Sequence, residues 1–439
     1  MKLEYGLDEK PPLIKSCLIG IQWAAILISS VIILGKVVGD IQFSGPLDQI
    51  IYLQKILFIC AVTLLCQLFW GHRLPLLPGP AAVLLVGVIA SQGFGMDVIY
   101  SCVTIGGIFV AVLGASGLFK HLRRYFTANV IAVVLLLIAF TIAPTVQKLI
   151  IDSEGGVGPL SNLSFAFILV FVMLIGYRLL TGIWQSTLII WAVIIGSLVY
   201  LLIFPESGHH GPPANVPWFR DFFRNMVLPF SIQPGVLISF LFCYIALAIN
   251  DVGAIQAVNE MLRTADMDKR MARGISVTGL ANTASGLLGV IGPVDYTITP
   301  GIIAATRCAS RFTLVPTALI MLVLAFLPSA IGFMGSIPSV VIGAILAYVL
   351  MTQIAAGLMV AFQKGEDFRF EDGLVIGASI LLGTLVAFLP GEVFDGLPPF
   401  LRPVLGNGFV AGVVSALVME QLLLGKYKIP DDPEALGKK

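Results

Sequence analysis

Ionisable and amide side chains are sparse in this sequence, and the few inside apolar runs are those that can do chemistry. Asn250 and Asp251 interrupt YIALAINDVGA, and Asp295 lies in GPVDYTITP. A carboxylate among apolar residues is costly to keep charged. It either pairs with a helix terminus or serves function, by exchanging a proton or meeting a polar ligand. Both readings stand for Asp251, late in its run, and for Asp295, as a cap on a short helix. The Asn250 amide offers donors and an acceptor to a ligand. Gln22, in LIGIQWAAI, is either a helix–helix bridge or a ligand contact, because a buried amide is expensive unless hydrogen-bonded. Trp23 beside it stacks on a planar molecule or packs in the core. Tyr296, Thr297 and Thr299 add hydroxyls next to Asp295. Lys55 falls early in an apolar run, where its long stem lets the amine snorkel to the inner face.

Other chemistry is missing from the pattern. His72, His121, His209 and His210 all fall in loops between apolar runs. No His-Glu-x-x-His, no phosphate loop and no Ser–His–Asp set on adjacent runs occurs. No catalytic residue, metal site or cofactor is therefore expected. The six cysteines, at 17, 60, 66, 102, 243 and 308, make no Cys-x-x-Cys pair and read as buried thiols.

The elements that must position these residues follow from composition. The chain has 439 residues, 58% hydrophobic and only 12% charged, with a mean hydropathy of +0.98. An ordinary soluble protein is about 25% charged, so a soluble enzyme is excluded. A net charge of +1 supplies no basic field for nucleic acid. The segment MKLEYGLDEKPPLIK lacks the short apolar core and small-residue cleavage site of a secretory leader. An all-α integral membrane protein remains. Apolar runs predict spans near 14–36, 50–70, 96–119, 125–149, 163–181, 184–204, 230–254, 274–292, 312–332, 337–360, 371–390 and 405–424. Two further stretches, about 81–92 and 298–310, are too short to cross alone. Each follows a Gly/Pro-rich run, LPLLPGP or GVIGPVDYTITPG. Extended chain followed by a half-helix can cross as one unit where it faces protein or a wet cavity. That makes fourteen crossings.

The charges test the count. With the N-terminus inside, 20 of the 26 Lys and Arg fall in cytoplasmic loops and 5 outside, with Lys55 within a span, as the positive-inside rule requires. Dropping either broken span would reverse every later loop. The broken spans are the third and the tenth, seven apart. Because seven is odd, the halves enter with opposite orientation, which predicts a 7+7 inverted repeat. The halves join near residues 205–229, where Trp218, Phe219, Phe222 and Phe223 form an amphipathic run suited to the membrane interface. The half-helices start near Ala81 and Thr299. Their unpaired N–H groups, facing each other at mid-membrane, suit a small planar ligand rich in acceptors.

The sequence resembles the nucleobase/ascorbate (xanthine/uracil permease, nucleobase–cation symporter) family over about residues 10–425. The resemblance rests on KPPLIKSCLIGIQWAAI, LPLLPGPAAVLL, INDVGAIQAVNEM, GLANTASGLLGVIGPVDYTITPGIIAATRCASR and GSIPSVVIGAIL. It implies a core domain of spans 1–4 and 8–11 (residues 1–124 and 213–335). It implies a gate domain of spans 5–7 and 12–14 (residues 125–212 and 336–439), the last part including the cytoplasmic tail. It further implies substrate held between the breaks, coupling to a proton or sodium, a homodimer, and a place in the plasma membrane. The family's substrate-binding carboxylate in span 8 falls on Asn250, with Asp251 next to it. Its second carboxylate, in span 10, falls on Ile298, followed by Thr299. The aromatic of the first break falls near Ala82, and the span-1 glutamine is retained as Gln22. Both usual glutamates are thus absent, and Asp251 and Asp295 are the carboxylates left for proton coupling.

The expected function is import of a purine or pyrimidine base by proton symport. The alternative on the same seven-plus-seven plan is an anion transporter of the sulfate-permease type. A third possibility is a receptor that binds a base without moving it.

Overall fold

The computed structural model describes residues 3–118, 127–151, 157–205, 222–224, 226–227, 231–297, 299–335, 337–362, 368–394, 397–398 and 401–424. Among them fourteen helices match the expected crossings. They are α1 (Leu13–Gln42), α2 (Pro46–Phe69), α3 (Ala82–Ala90), α4 (Met96–Ser116), α5 (Ala128–Ile151), α6 (Pro159–Leu179), α7 (Leu188–Ile203), α8 (Pro234–Leu262), α9 (Met267–Leu288), α10 (Thr299–Thr306), α11 (Leu314–Ala325), α12 (Ser339–Ala361), α13 (Phe370–Phe388) and α14 (Gly408–Met419). Eight of these are long and apolar enough to cross a bilayer on their own. α9 is not, because its charged first turns, MDKRMARG, are followed by a run rich in Gly, Ser, Thr and Asn. It starts seven residues earlier than hydropathy suggested.

The two breaks are strands, which the sequence reading did not foresee. β1 (Pro78–Pro80) and β2 (Pro293–Asp295) pair antiparallel, with Pro78 opposite Asp295, Gly79 opposite Val294 and Pro80 opposite Pro293. Proline has no N–H to give, so the ladder is closed at its ends. The Ala81 N–H bonds Gly292 O at 3.0 Å, and the Tyr296 N–H bonds Leu77 O at 2.9 Å. Extended backbone at this depth must pair internally, and each break satisfies the other.

Packing partners recur under a shift of seven helices. α4 lies on α9, and α11 on α2; α8 lies on α4, and α1 on α11. β1 meets α1 and α2, while β2 meets α8 and α9. Elsewhere α5 meets α13 and α14, and α12 meets α6 and α7. With the antiparallel strands, this is the pattern that an inverted repeat predicts. α1–α4 and α8–α11 pack chiefly with one another, as do α5–α7 and α12–α14. Small residues set the closest approaches. A Cβ on Gly107 of α4 would lie 2.3 Å from the Thr283 nitrogen of α9, so no larger residue fits that contact.

One expectation fails here. Lys55 does not snorkel. It is 2% exposed, and its amine donates to Leu288 O at 2.7 Å and to Arg224 O, capping the carbonyl end of α9. Trp23 is fully buried and takes the packing role. In the segment joining the halves, Trp218 and Phe219 lie outside the described residues. Phe222 is buried against Phe58 and Phe326, whereas Phe223 is exposed. The cysteines are free, as expected; Cys60, Cys102, Cys243 and Cys308 are buried, and Cys17 and Cys66 partly so.

Candidate functional site

Asn250 and Asp251 sit mid-way along α8, against β2. The Asp251 carboxylate accepts from the Asp295 main-chain N–H through Oδ1 at 2.8 Å. The Asn250 amide lies 3.4 Å from Asp295 O. Neighbouring residues on one helix thus grip both main-chain polar groups of Asp295. Asp251 and Asp295 are both fully buried. Asp251 Oδ2 and both Asp295 carboxylate oxygens have no hydrogen-bond partner. Asp295 is therefore a strand residue of the break and does not cap α10; its side chain is not held by a helix dipole.

Its neighbour is His72, which sequence reading left aside as a loop histidine. His72 does lie outside any helix, just after α2, but it is fully buried. Its Nε2 stands 3.2 Å from Asp295 Oδ2. The two are in contact without the alignment of a formed hydrogen bond, since Nε2 has no such partner. Nδ1 accepts from the Leu74 N–H at 2.9 Å. The His72 N–H faces Gln67 Oε1 at 3.3 Å, and Gln67 Nε2 donates to Thr278 and to Gly274 O, each at 3.0 Å. Gly274 gives the imidazole room, because a Cβ there would lie 3.1 Å from His72 Cβ. The available signal was position: a histidine six residues before an extended proline strand enters the protein with it.

Tyr296 crosses to the other break. Its hydroxyl donates to Pro80 O at 3.1 Å and is in hydrogen-bonding contact with Ser30 of α1. Its ring lies over Gly79, where a Cβ would come within 2.4 Å of the phenol carbon. Asn282 of α9, also missed from sequence, donates to Pro293 O at 2.8 Å and accepts from the Tyr244 hydroxyl at 3.1 Å. The expected N–H groups at the half-helix starts are only partly free. Ala81 is buried and its N–H is used by Gly292, so the open start of α3 begins at Ala82. Thr299 turns its hydroxyl back to Tyr296 O at 2.8 Å. Ile298 lies outside the described residues.

Around this buried pair, Ala82, Asn250 and Tyr296 are half-buried, Thr297 and Gly253 are exposed, and a Cβ on Gly253 would meet nothing within 4 Å. Space is thus open at Gly253, one turn along α8 from Asn250. Gln22 on α1 is buried with its Nε2 unpartnered. It lies eight residues before Ser30, about 12 Å along the helix, and no hydrogen bond joins it to the Asn250 group.

A bundle of apolar helices with two broken crossings over buried carboxylates is a multi-pass membrane transporter. A sequence model of the Permease family, that of the xanthine/uracil permeases, matches residues 14–392, and the chain belongs to that family as a divergent member. The chain is 24% identical over 426 residues to the nucleobase transporter PlUacP of Paenibacillus larvae, covering 95% of this chain and 96% of that one. It is 24% identical over 414 residues to a xanthine permease of Bacillus subtilis, covering 92% and 93%. Its fold resembles the transmembrane domain of a cyanobacterial bicarbonate transporter, BicA, with a TM-score of 0.61 at 18% identity over 88% of this chain and 98% of that one.

Proposed function

We propose that this protein is a secondary active transporter that imports a purine or pyrimidine base, xanthine- or uracil-like, by proton symport across the plasma membrane. The observation that carries the reading is the half-buried Asn250 amide directly beside the buried Asp251–Asp295 pair. A base presents neighbouring N–H and C=O groups, and an amide meets both at once. The adjacent carboxylates supply a place for a coupled proton. The substrate names of full-length relatives point the same way. Likeness to BicA favours the anion alternative at the level of fold only. Two carboxylates beside Asn250 would repel an anion, so the base is the better fit.

In this reading α1–α4 and α8–α11 are the core domain that carries the site, and α5–α7 with α12–α14 are the gate domain, paired in a homodimer. Both termini are cytoplasmic. Cysteines placed at position 268 should be labelled only from the cytoplasm, and at position 214 only from outside; labelling of both from one side would sink the topology. The deciding experiment is uptake of radiolabelled xanthine, uric acid, uracil, bicarbonate and sulfate into proteoliposomes, with and without an imposed proton gradient. Gradient-driven accumulation of a base supports the reading. Accumulation of an anion alone overturns it, and base binding without flux makes the protein a receptor.

A further inference from the structure

β2 has a strand on one edge only. Among the described residues its sheet consists of β1 and β2. Antiparallel pairs alternate between bonded and non-bonded positions. The bonded positions join Ala81 to Gly292 and Tyr296 to Leu77, so at Pro293 and Asp295 the main chain turns its polar groups away from β1. Both residues are buried, and buried main-chain groups need partners. Side chains of α8 and α9 take the place of a third strand. Asp251 accepts from the Asp295 N–H at 2.8 Å, and Asn282 donates to Pro293 O at 2.8 Å. Asn250 reaches Asp295 O only at 3.4 Å, beyond the range of about 2.7–3.2 Å that a well-formed N–H···O bond keeps.

Asn282 is fixed in its turn. Its amide donates to Thr278 O as well as Pro293 O, each at 2.8 Å, and its Oδ1 accepts from the Tyr244 hydroxyl at 3.1 Å. Turning the amide over would set Oδ1 against two carbonyls, so the contacts settle its orientation. Asn282 and Tyr244 are fully buried. α9 is pressed against α4 at this level, where a Cβ on Gly107 would lie 2.7 Å from the Asn282 carbonyl carbon. Gly292 leaves room for the amide, since a Cβ there would come within 1.8 Å of Oδ1.

The grip on β2 is thus uneven: Asp251 and Asn282 hold it by short bonds, Asn250 by a long one. We propose that Asn282 is a positioning residue of the substrate site: its amide stands in for the missing strand beside Pro293, so that β2 keeps its place when the Asn250 amide turns from Asp295 O to a ligand. This rests on the reading of Asn250 as the ligand contact, and it extends that reading to a residue of α9 that acts through the strand. A leucine at 282 has nearly the shape of asparagine but no donor. Pro293 O then loses its Asn282 bond, and the strand leans on Asn250, whose amide is no longer free.

Two measurements test it. The first needs no substrate: hydrogen exchange of the full chain in lipid, read by mass spectrometry on peptides spanning residues 292–297. Exchange there should quicken about tenfold in Asn282→Leu, the effect of one lost bond to a buried carbonyl, and stay near the wild-type rate in Asn250→Ala. Quick exchange in Asn250→Ala, or a wild-type rate in Asn282→Leu, overturns the proposal. Tyr244→Phe leaves the bond to Pro293 O in place and should also exchange at the wild-type rate; quickening there would put the hold in the contact between α8 and α9 instead. If Asn282→Leu does not fold, the Asn250→Ala and Tyr244→Phe arms still decide. The second measurement is xanthine uptake into proteoliposomes. Asn282→Leu should raise KM about tenfold, with the maximal rate and the pH profile little changed. In the Asn282→Leu background, Asn250→Ala should weaken xanthine binding by less than it does alone, because Asn250 is already engaged on the strand. An unchanged KM, or fully additive losses, would remove the role. If wild type neither binds nor moves a base, the reading of Asn250 fails, while the exchange arm still decides whether Asn282 holds the strand.

Discussion

In the first half of the molecule the extended strand carries only proline and glycine, Pro78–Gly79–Pro80, and α1 presents Ser29 and Ser30. In the second half the strand ends on Asp295, and α8 presents Asn250 and Asp251. The local sequences correspond, Ile-Ser-Ser-Val at 28–31 and Ile-Asn-Asp-Val at 249–252, each midway along its helix. The strands pair with each other residue for residue. The backbone is thus shared by the halves and the chemistry is not. A physical reason is at hand. Antiparallel strands paired at the centre bring the side chains of both halves into one small volume. Charge in both halves would bury four carboxylates together, which no arrangement of a few N–H groups can offset. The second half supplies the carboxylates. The first supplies the His72 imidazole, close approach through Gly79, and neutral contacts through Ser30.

Breaking the crossing itself should have the largest effect. Gly79→Val places a side chain where the Tyr296 ring lies. Overpacking of this kind costs about 1–3 kcal/mol and here also displaces a strand of the site. Uptake should be abolished and the thermal midpoint in detergent lowered; unaltered uptake would show that Tyr296 does not need this position.

Removing charge from the second half comes next. An asparagine at 251 retains an acceptor for the Asp295 N–H but exchanges no proton. Asp251→Asn should therefore keep base exchange at equilibrium and lose proton-driven accumulation, as measured in proteoliposomes. Full accumulation by this variant would move the role to Asp295. Full accumulation by both single variants and the double variant would rule out coupling at the pair.

The neutral ligand contact follows. Asn250→Ala should weaken base binding by about 1–3 kcal/mol, the cost of leaving a polar partner unsatisfied. Gln22→Ala, with no bond to this group, should cost less. Calorimetry on the purified protein ranks the two, and unchanged affinity in Asn250→Ala takes that residue out of the site.

The smallest effect belongs to the first half. Ser30→Ala removes one neutral contact to Tyr296, worth about 0.5–1.5 kcal/mol. It should lower the melting midpoint slightly and leave the pH profile of uptake unmoved. A shifted profile would mean that the serine half takes part in coupling.

The sequence alone determined the membrane architecture, because hydrocarbon imposes a rule that can be read residue by residue. Runs of about 20 apolar residues cross, and short runs after Gly/Pro stretches cross broken. α1, α2, α4 and α8 needed nothing more. It also picked out Asn250, Asp251 and Asp295, since a polar group in such a run stands out without any contact being known. What surrounds those groups was decided only by the tertiary structure. Nothing local to GHRLPLLPGP says that His72 is buried, and nothing local to GPVDYTITP says that Asp295 faces it. They are 223 positions apart in the chain and meet because two strands, each unable to satisfy its own backbone, satisfy each other. Lys55 shows the same limit. Its stem and charge suited a surface position, but the carbonyls at the end of α9 claimed it. Composition and spacing report how a residue prefers to meet solvent. Which buried partner it meets depends on distances between distant segments, and these exist only once the helices have packed.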